Sequence, residues 1–262
     1  MFFSLPSWAV ALVLVAVVGG ACAAGVLGGR YLRRQTDTLR EPIGVLQGAL
    51  LGVVGLILAF GLSLAVGRYE ARRASVVAEA NAIGTTYLRA QLIAEPARSE
   101  SLDLLRRYTD LSLRISREVP ASTAMNRTAA EQSALQRKLW RLAGTAISGA
   151  PTASAPRLYV DTLNDMIDQQ TVRVSALNNR VPGAVLVLEV TSAAVVVGLL
   201  AMYLSVLGRG LLAAIVAAGL VTLLLLVIFD LDRPARGLIR IPATPLESLR
   251  ASMVPPPAAE PP

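Results

Sequence analysis

Apolar positions follow two different rhythms along this chain. Four stretches are almost free of charge, and the long segment between the second and third repeats its apolar residues at helical three-four spacing among arginines and carboxylates. The first stretch, 5–29, carries no charged side chain and is long enough to cross a hydrocarbon core of about 30 Å at roughly 1.5 Å per residue. Arg30 to Glu41 is a short charged connection, after which Pro42 opens a second uncharged run, 43–67. The third run, 182–204, starts at Pro182, a residue suited to a first helical turn, and the fourth covers 211–229. Only Ser205 to Gly210 separates the last two, which predicts an antiparallel hairpin. The expected fold class is an all-α membrane protein of four transmembrane helices, with a helical cytoplasmic insert at 68–181 and a tail at 230–262.

Within the insert the spacing predicts four helices. The first continues the second span from Arg68 through Ile93, with Val76, Ile83, Tyr87 and Ala90 on one stripe, and Pro96 ends it. Ser99 or Ser101 is the expected cap of the next, whose face carries Leu104, Tyr108, Leu111 and Ile115 before Pro120. A third runs from about Ser122 to Ser148 with Leu135, Leu139 and Leu142, and Gly149 to Pro156 is a small-residue linker. The last shows Val160, Leu163, Ile167, Gln170, Val174 and Leu177, a seam for a partner helix in this chain or another.

Composition agrees with the membrane reading. The chain is 54% hydrophobic and 16% charged, with mean hydropathy +0.56, outside the range of an ordinary soluble domain. The formal charge of +7 does not signal nucleic acid, because the basic residues are scattered among carboxylates rather than gathered on one face. One cysteine, Cys22, and no histidine exclude an intramolecular disulfide, a Cys/His metal or haem site and histidine acid/base chemistry. No catalytic constellation, cofactor site or metal site is visible. Cys22 lies in an apolar run and reads as a packing residue. A signal peptide is the rival for the first span, since Ala21, Cys22 and Ala23 are small, but no basic residue precedes the run and a retained anchor is expected.

Arginines near the span ends set the orientation. Both termini and the insert inside places Arg68, Arg72, Arg73, Arg173, Arg180, Arg233, Arg236 and Arg240 in the cytoplasm, against Arg30, Arg33, Arg34, Arg40 and Arg209 outside. Arg68, Arg72 and Arg73 also suit anionic lipid headgroups at about 1 kcal/mol each.

The second span is the most informative. Gly44, Gly48 and Gly52 recur every fourth residue, as do Gly55, Ala59, Ser63 and Gly67, giving two small ridges that let helix backbones approach. They serve tight packing between spans or an oligomer. In the oligomer, Leu56 and Phe60, one turn apart, face a central axis and form an apolar constriction that gates by dewetting. Glu189 is the one ionisable residue well inside a span, roughly 10 Å along its helix from Pro182. It is either a functional group, favouring cations if it lines a path, or an ion-pair partner of Arg68 or Arg72. Asp230 and Asp232 are expected to pair with Arg233, Arg236 or Arg240; two carboxylates make a poor calcium site.

The stretch Leu58-Ala59-Phe60-Gly61-Leu62-Ser63-Leu64-Ala65-Val66-Gly67-Arg68-Tyr69 resembles the pore-lining second helix of the bestrophin channels: a small residue before phenylalanine, an apolar run, then arginine and an aromatic. The segment from Arg68-Tyr69-Glu70-Ala71-Arg72-Arg73 through Glu79 to Ala90 is similar to the bacterial bestrophin-like family, as is Leu231-Asp232-Arg233-Pro234-Ala235-Arg236-Gly237 after the last span. The resemblance implies a homo-oligomer in the bilayer, a pentamer around the second helix, passing an ion whose identity the motifs do not give. It places Ser63, Arg68, Tyr69, Arg72 and Arg73 at the pore mouth or the interface, where Glu189 is a further candidate on its charge alone, and Asp230, Asp232, Arg233, Pro234 and Gly237 fall in the turn after the last span. The pattern's second tryptophan is Glu70 here, its outer bulky neck position is Gly52, and the acidic run of the calcium clasp is missing. The alternative function is a membrane-tethered helical sensor or scaffold whose Val160 to Leu177 seam binds a partner and which conducts nothing. Pro255 to Pro262 reads as a disordered proline-rich tail.

Overall fold

The computed structural model describes residues 6–32, 40–208, 210–234 and 237–253. Arg33, Arg34, Arg209, Arg236 and the proline-rich tail lie outside them. The described residues form helices and no strand: α1 (Ser7–Leu32), α2 (Arg40–Ala90), α3 (Ala97–Arg117), α4 (Thr123–Gly149), α5 (Ser154–Asn178), α6 (Gly183–Val206), α7 (Leu211–Leu231) and α8 (Thr244–Ser252). The chain divides into two compact units, Met1–Arg68 with Arg180–Ile239, and Tyr69–Asn179 with Arg240–Pro262. As the spacing predicts, the second apolar run and the first helix of the insert are one helix, α2.

The apolar unit contains α1, the first part of α2, α6 and α7. Its outward side chains are hydrocarbon: Leu12, Leu27, Val187, Leu212, Ile215 and Leu220 are all exposed. That is the inverse of a water-facing bundle, and it is stable only where the surroundings are apolar as well. Lipid removes the hydrophobic drive between helices, so close van der Waals contact must hold them. Glycines provide it. A Cβ on Gly25 would strike the Gly198 carbonyl, and one on Gly29 would strike Met202 and Ser205. Ser205 adds a hydrogen bond from its hydroxyl to the Val26 carbonyl at 2.8 Å. These contacts advance together along both chains, so α1 and α6 are parallel. Between α6 and α7 the turn needs Gly210, whose φ of +103° a side chain would strain. Cys22 is buried, its sulfur facing the Ala214 carbonyl, which fits a packing residue.

The polar unit is a bundle of the rest of α2 with α3, α4, α5 and α8. Val76, Ile83, Tyr87, Ala90, Tyr108, Leu139, Tyr159, Leu163 and Met166 form its core. Charge also runs through it. Glu79 of α2 and Arg173 of α5, both almost fully buried, form an ion pair. Glu79 accepts from the Ser112 hydroxyl at 3.1 Å, and Arg173 donates to the Ser112 carbonyl at 3.1 Å and to Ser116 at 2.6 Å. Gln132 of α4 donates to the Ser112 hydroxyl at 2.8 Å, so one network ties four helices. Burial, and the nearby negative charge of Glu79, push the Tyr108 phenol well above its usual range.

Two expectations need correction here, and a third gains detail. The start of α3 is not capped by Ser99 or Ser101. Instead Glu95 accepts from the Ser99 hydroxyl, from Arg98 and from the Ser99 amide, and these bonds hold its carboxyl below the usual carboxylate range. Ser122 does cap α4, accepting from the Met125 amide. The α5 seam is centred on Tyr159, Leu163, Met166, Gln170, Arg173 and Leu177, with Val160, Ile167 and Val174 on its flank. Aliphatic positions alone mislocated it, because a tyrosine, a methionine and a paired arginine take the deepest places. Finally, the expected tail contains α8, which lies on α3. Leu246 and Met253 are buried, Arg106 donates to the Met253 carbonyl at 3.0 Å, and Arg250 meets Asp110 at 2.6 Å.

Replacing Arg173 with Met leaves Glu79 buried and unpaired, which costs about 3–5 kcal/mol. Arg173→Met is expected to lower Tm sharply and Glu79→Gln/Arg173→Met to recover most of the loss; equal melting of wild type and the single variant would show that the pair contributes nothing.

Candidate functional site

Helix α2 has two opposite faces within the apolar unit. Val54, Leu58, Gly61 and Ala65 are buried, and a Cβ at Gly44 would lie 2.9 Å from the Tyr203 hydroxyl. Gly61 meets Glu189, so α2 runs antiparallel to α6. At 3.6 residues per turn, Gly52, Leu56, Phe60, Ser63 and Gly67 fall on the far side of the same helix. All are exposed, Leu56 at 57% and Phe60 at 63%. Gly48, Gly52, Gly55 and Gly67 have no neighbour within 4 Å of a Cβ. Apart from Gly44, the two small ridges therefore do not provide the packing between spans of this chain; Gly25, Gly29, Gly61 and Gly198 do.

The Gly61 contact is with charge-bearing chemistry. Glu189 is 0% exposed, and neither of its carboxylate oxygens has a hydrogen-bond partner among the described residues. A Cβ at position 61 would overlap that carboxylate. Within this unit the ion pair with Arg68, one of the alternatives the sequence offered, does not form. Arg68, seven residues beyond Gly61, has Nε and Nη1 buried without a hydrogen-bond partner.

Arg72 belongs to the polar unit, is 1% exposed, and donates to the carbonyls of Ala176 at 3.2 Å and Asn179 at 2.7 Å. A guanidinium there satisfies carbonyls at the end of α5 and meets the negative end of its dipole. In the single chain these carbonyls, not solvent, surround the Arg72 guanidinium. Tyr69 is half-buried, and Arg73 is exposed beside Glu70 at 3.9 Å, a pair that contributes little.

After α7 the chain turns back on Asp230. Its two oxygens accept from the amides of Leu238 and Ile239, each at 2.8 Å. Gly237 donates to the Arg233 carbonyl at 3.0 Å, and a Cβ on it would lie 2.8 Å from the Asp230 carbonyl. Asp232 accepts from the Val181 amide at 3.1 Å, tying the turn to the start of α6. Among the described residues the partners of Asp230 are thus backbone amides rather than arginines, and Arg236 lies outside them. Sequence spacing shows acids near arginines but not a chain reversal that aims two amides at one carboxylate.

With this geometry in place, a family model described as the Bestrophin-like domain matches residues 10–246. The chain belongs to the bestrophin-like family. Solved structures of a bestrophin homologue from Klebsiella pneumoniae share the fold. A tyrosine-to-alanine variant of it aligns with TM-score 0.68 at 12% identity, covering 90% of this chain and 97% of that one. A tryptophan-to-alanine variant gives 0.65 at 13% identity over 92% and 95%, and the form solved with zinc phasing 0.68 at 11% over 89% and 96%. Comparison with curated protein sequences returns no match. The bestrophin-like assignment accounts for the four spans, the inserted helices and the motif from Leu58 to Tyr69. It did not reveal the Gly61–Glu189 contact, whose sequence signal is a glycine in one span and the only deep acid in another.

Gly61→Ala is expected to lower Tm, because overpacking costs about 1–3 kcal/mol, and Gly61→Ala/Glu189→Ala to recover most of it. Melting of Gly61→Ala at the wild-type temperature would place the carboxylate elsewhere.

Proposed function

We propose that copies of this chain assemble around α2 in a bacterial inner membrane and form an ion-conducting pore. The observation that carries this reading is the far side of α2. One face is used against α6, while the opposite stripe of Gly52, Leu56, Phe60, Ser63 and Gly67 is exposed among the described residues. Small residues on and beside that stripe allow copies of the helix to approach, and Leu56 and Phe60 supply apolar bulk at one level. Water leaves a narrow apolar ring, so such a ring gates conduction. Ser63, Arg68, Tyr69 and Arg73 follow toward the inner mouth.

Family membership supports an assembly of several copies, with five as the number the resemblance suggests. The parallel course of α1 and α6 supports a reading with both termini on one side, and the arginine bias favours the cytoplasm as that side. No residue set in the chain suggests an enzyme. The sensor alternative depends on an open α5 seam, and the chain's own bundle fills it with Leu163, Met166 and Leu177.

Native mass spectrometry from detergent is expected to return an oligomer. Liposomes carrying the wild type should show ion flux that Phe60→Ala raises several-fold. A monomer only, or no flux from either protein, would remove the pore and leave a tethered helical protein.

A further inference from the structure

A carboxyl group with both oxygens unbonded, set between two spanning helices, is the strongest chemical anomaly in this chain. An ionised carboxylate there costs several kcal/mol unless it is paired or wetted. Among the described residues no counter-charge on the helices around it bonds to it. α1 carries no ionisable group from Ser7 to Gly29 except Cys22, which packs against Ala214. α2 carries none between Glu41 and Arg68, and Arg68 is roughly 10 Å along the helix from Gly61. α7 carries none from Leu211 to Phe229, and both oxygens of Asp230 at its end are held by backbone amides. On α6 itself the next ionisable residue is Tyr203, at the other end. A metal ion would need several further oxygen ligands, and among the described residues no cluster of three metal-binding side chains exists. A proton needs only the carboxyl.

We propose that Glu189 is a proton-binding site in the wall of the α2 helix, and that its proton occupancy sets how α2 seats on α6. The neutral acid fits the space that Gly61 leaves by having no side chain. When the proton leaves, the carboxylate draws water into the seam and drives α2 off α6. The second half of the proposal rests on the pore reading. Because Leu56 and Phe60 lie on the side of α2 facing away from α6, displacement carries them toward the axis and narrows it. Acid therefore favours conduction, and conduction falls as pH rises through the titration of Glu189.

Infrared spectroscopy of the full-length oligomer in an ester-free detergent tests the site without requiring flux. The wild type should show a carboxylic acid carbonyl band at neutral pH that disappears on alkalinisation and that Glu189→Gln lacks. If that variant does not fold, titration of the band in the wild type carries the test. No such band at neutral pH, or one that Glu189→Gln retains, would overturn the proton site. Liposome flux should fall with rising pH in the wild type and stay at its acid level in Glu189→Gln. A band that behaves as expected with flux that ignores the substitution would overturn the control of α2. The same band with no flux at any pH would uphold the proton site and overturn the pore.

Discussion

Close backbone approach at glycine is the constraint on which the apolar unit depends. In water a bundle is held by removing hydrocarbon from solvent, but lipid tails are as apolar as leucine, so that drive between helices vanishes. What remains is contact at short range. Gly25, Gly29 and Gly198 bring α1 and α6 together, and Gly61 brings α2 to α6. A single methyl group at Gly25, Gly29 or Gly61 would clash with the helix opposite. The rest of the unit follows: α6 is central, with α1 parallel to it and α2 antiparallel, and apolar side chains are left over to face the bilayer.

The polar unit solves the opposite problem. It has an ordinary hydrophobic core around Leu105, Tyr108, Tyr159 and Met166, and hydrocarbon alone would let four similar helices slide or rotate. The network through Glu79, Ser112, Gln132 and Arg173 removes that freedom, because its geometry is met in one register only. Arg72 acts in the same way at the end of α5. Such groups contribute specificity more than net energy.

Much of this was legible in the sequence. Uncharged length marked the apolar stretches that lie in α1, α2, α6 and α7, and three-four spacing marked the insert as helical, because both signals are one-dimensional. The continuity of α2 was visible for the same reason, since nothing between Gly67 and Ala90 breaks a helix. What stayed hidden depends on two distant positions meeting. Gly61 looks like any other glycine until Glu189 is placed against it. Arg173 looks like a solvated charge until Glu79 is found on a helix more than ninety residues earlier. The ridge of Gly48, Gly52 and Gly55 was plain, but which neighbour it serves was not, and the single chain leaves it bare. α8 was missed because nine residues beside prolines carry too little periodicity to stand out.

Arg72 and Arg173 lead two lives. In the proposed orientation each counts among the positive charges that bias which side of the bilayer the insert occupies, a bias read while the chain is still unfolded and its arginines are hydrated. Both are then withdrawn from solvent, one onto the carbonyls ending α5 and one onto Glu79. A charge count on the finished surface would therefore understate the signal that the insertion machinery received. Exchanging either arginine for a neutral residue removes a topological cue and a piece of the bundle in one step.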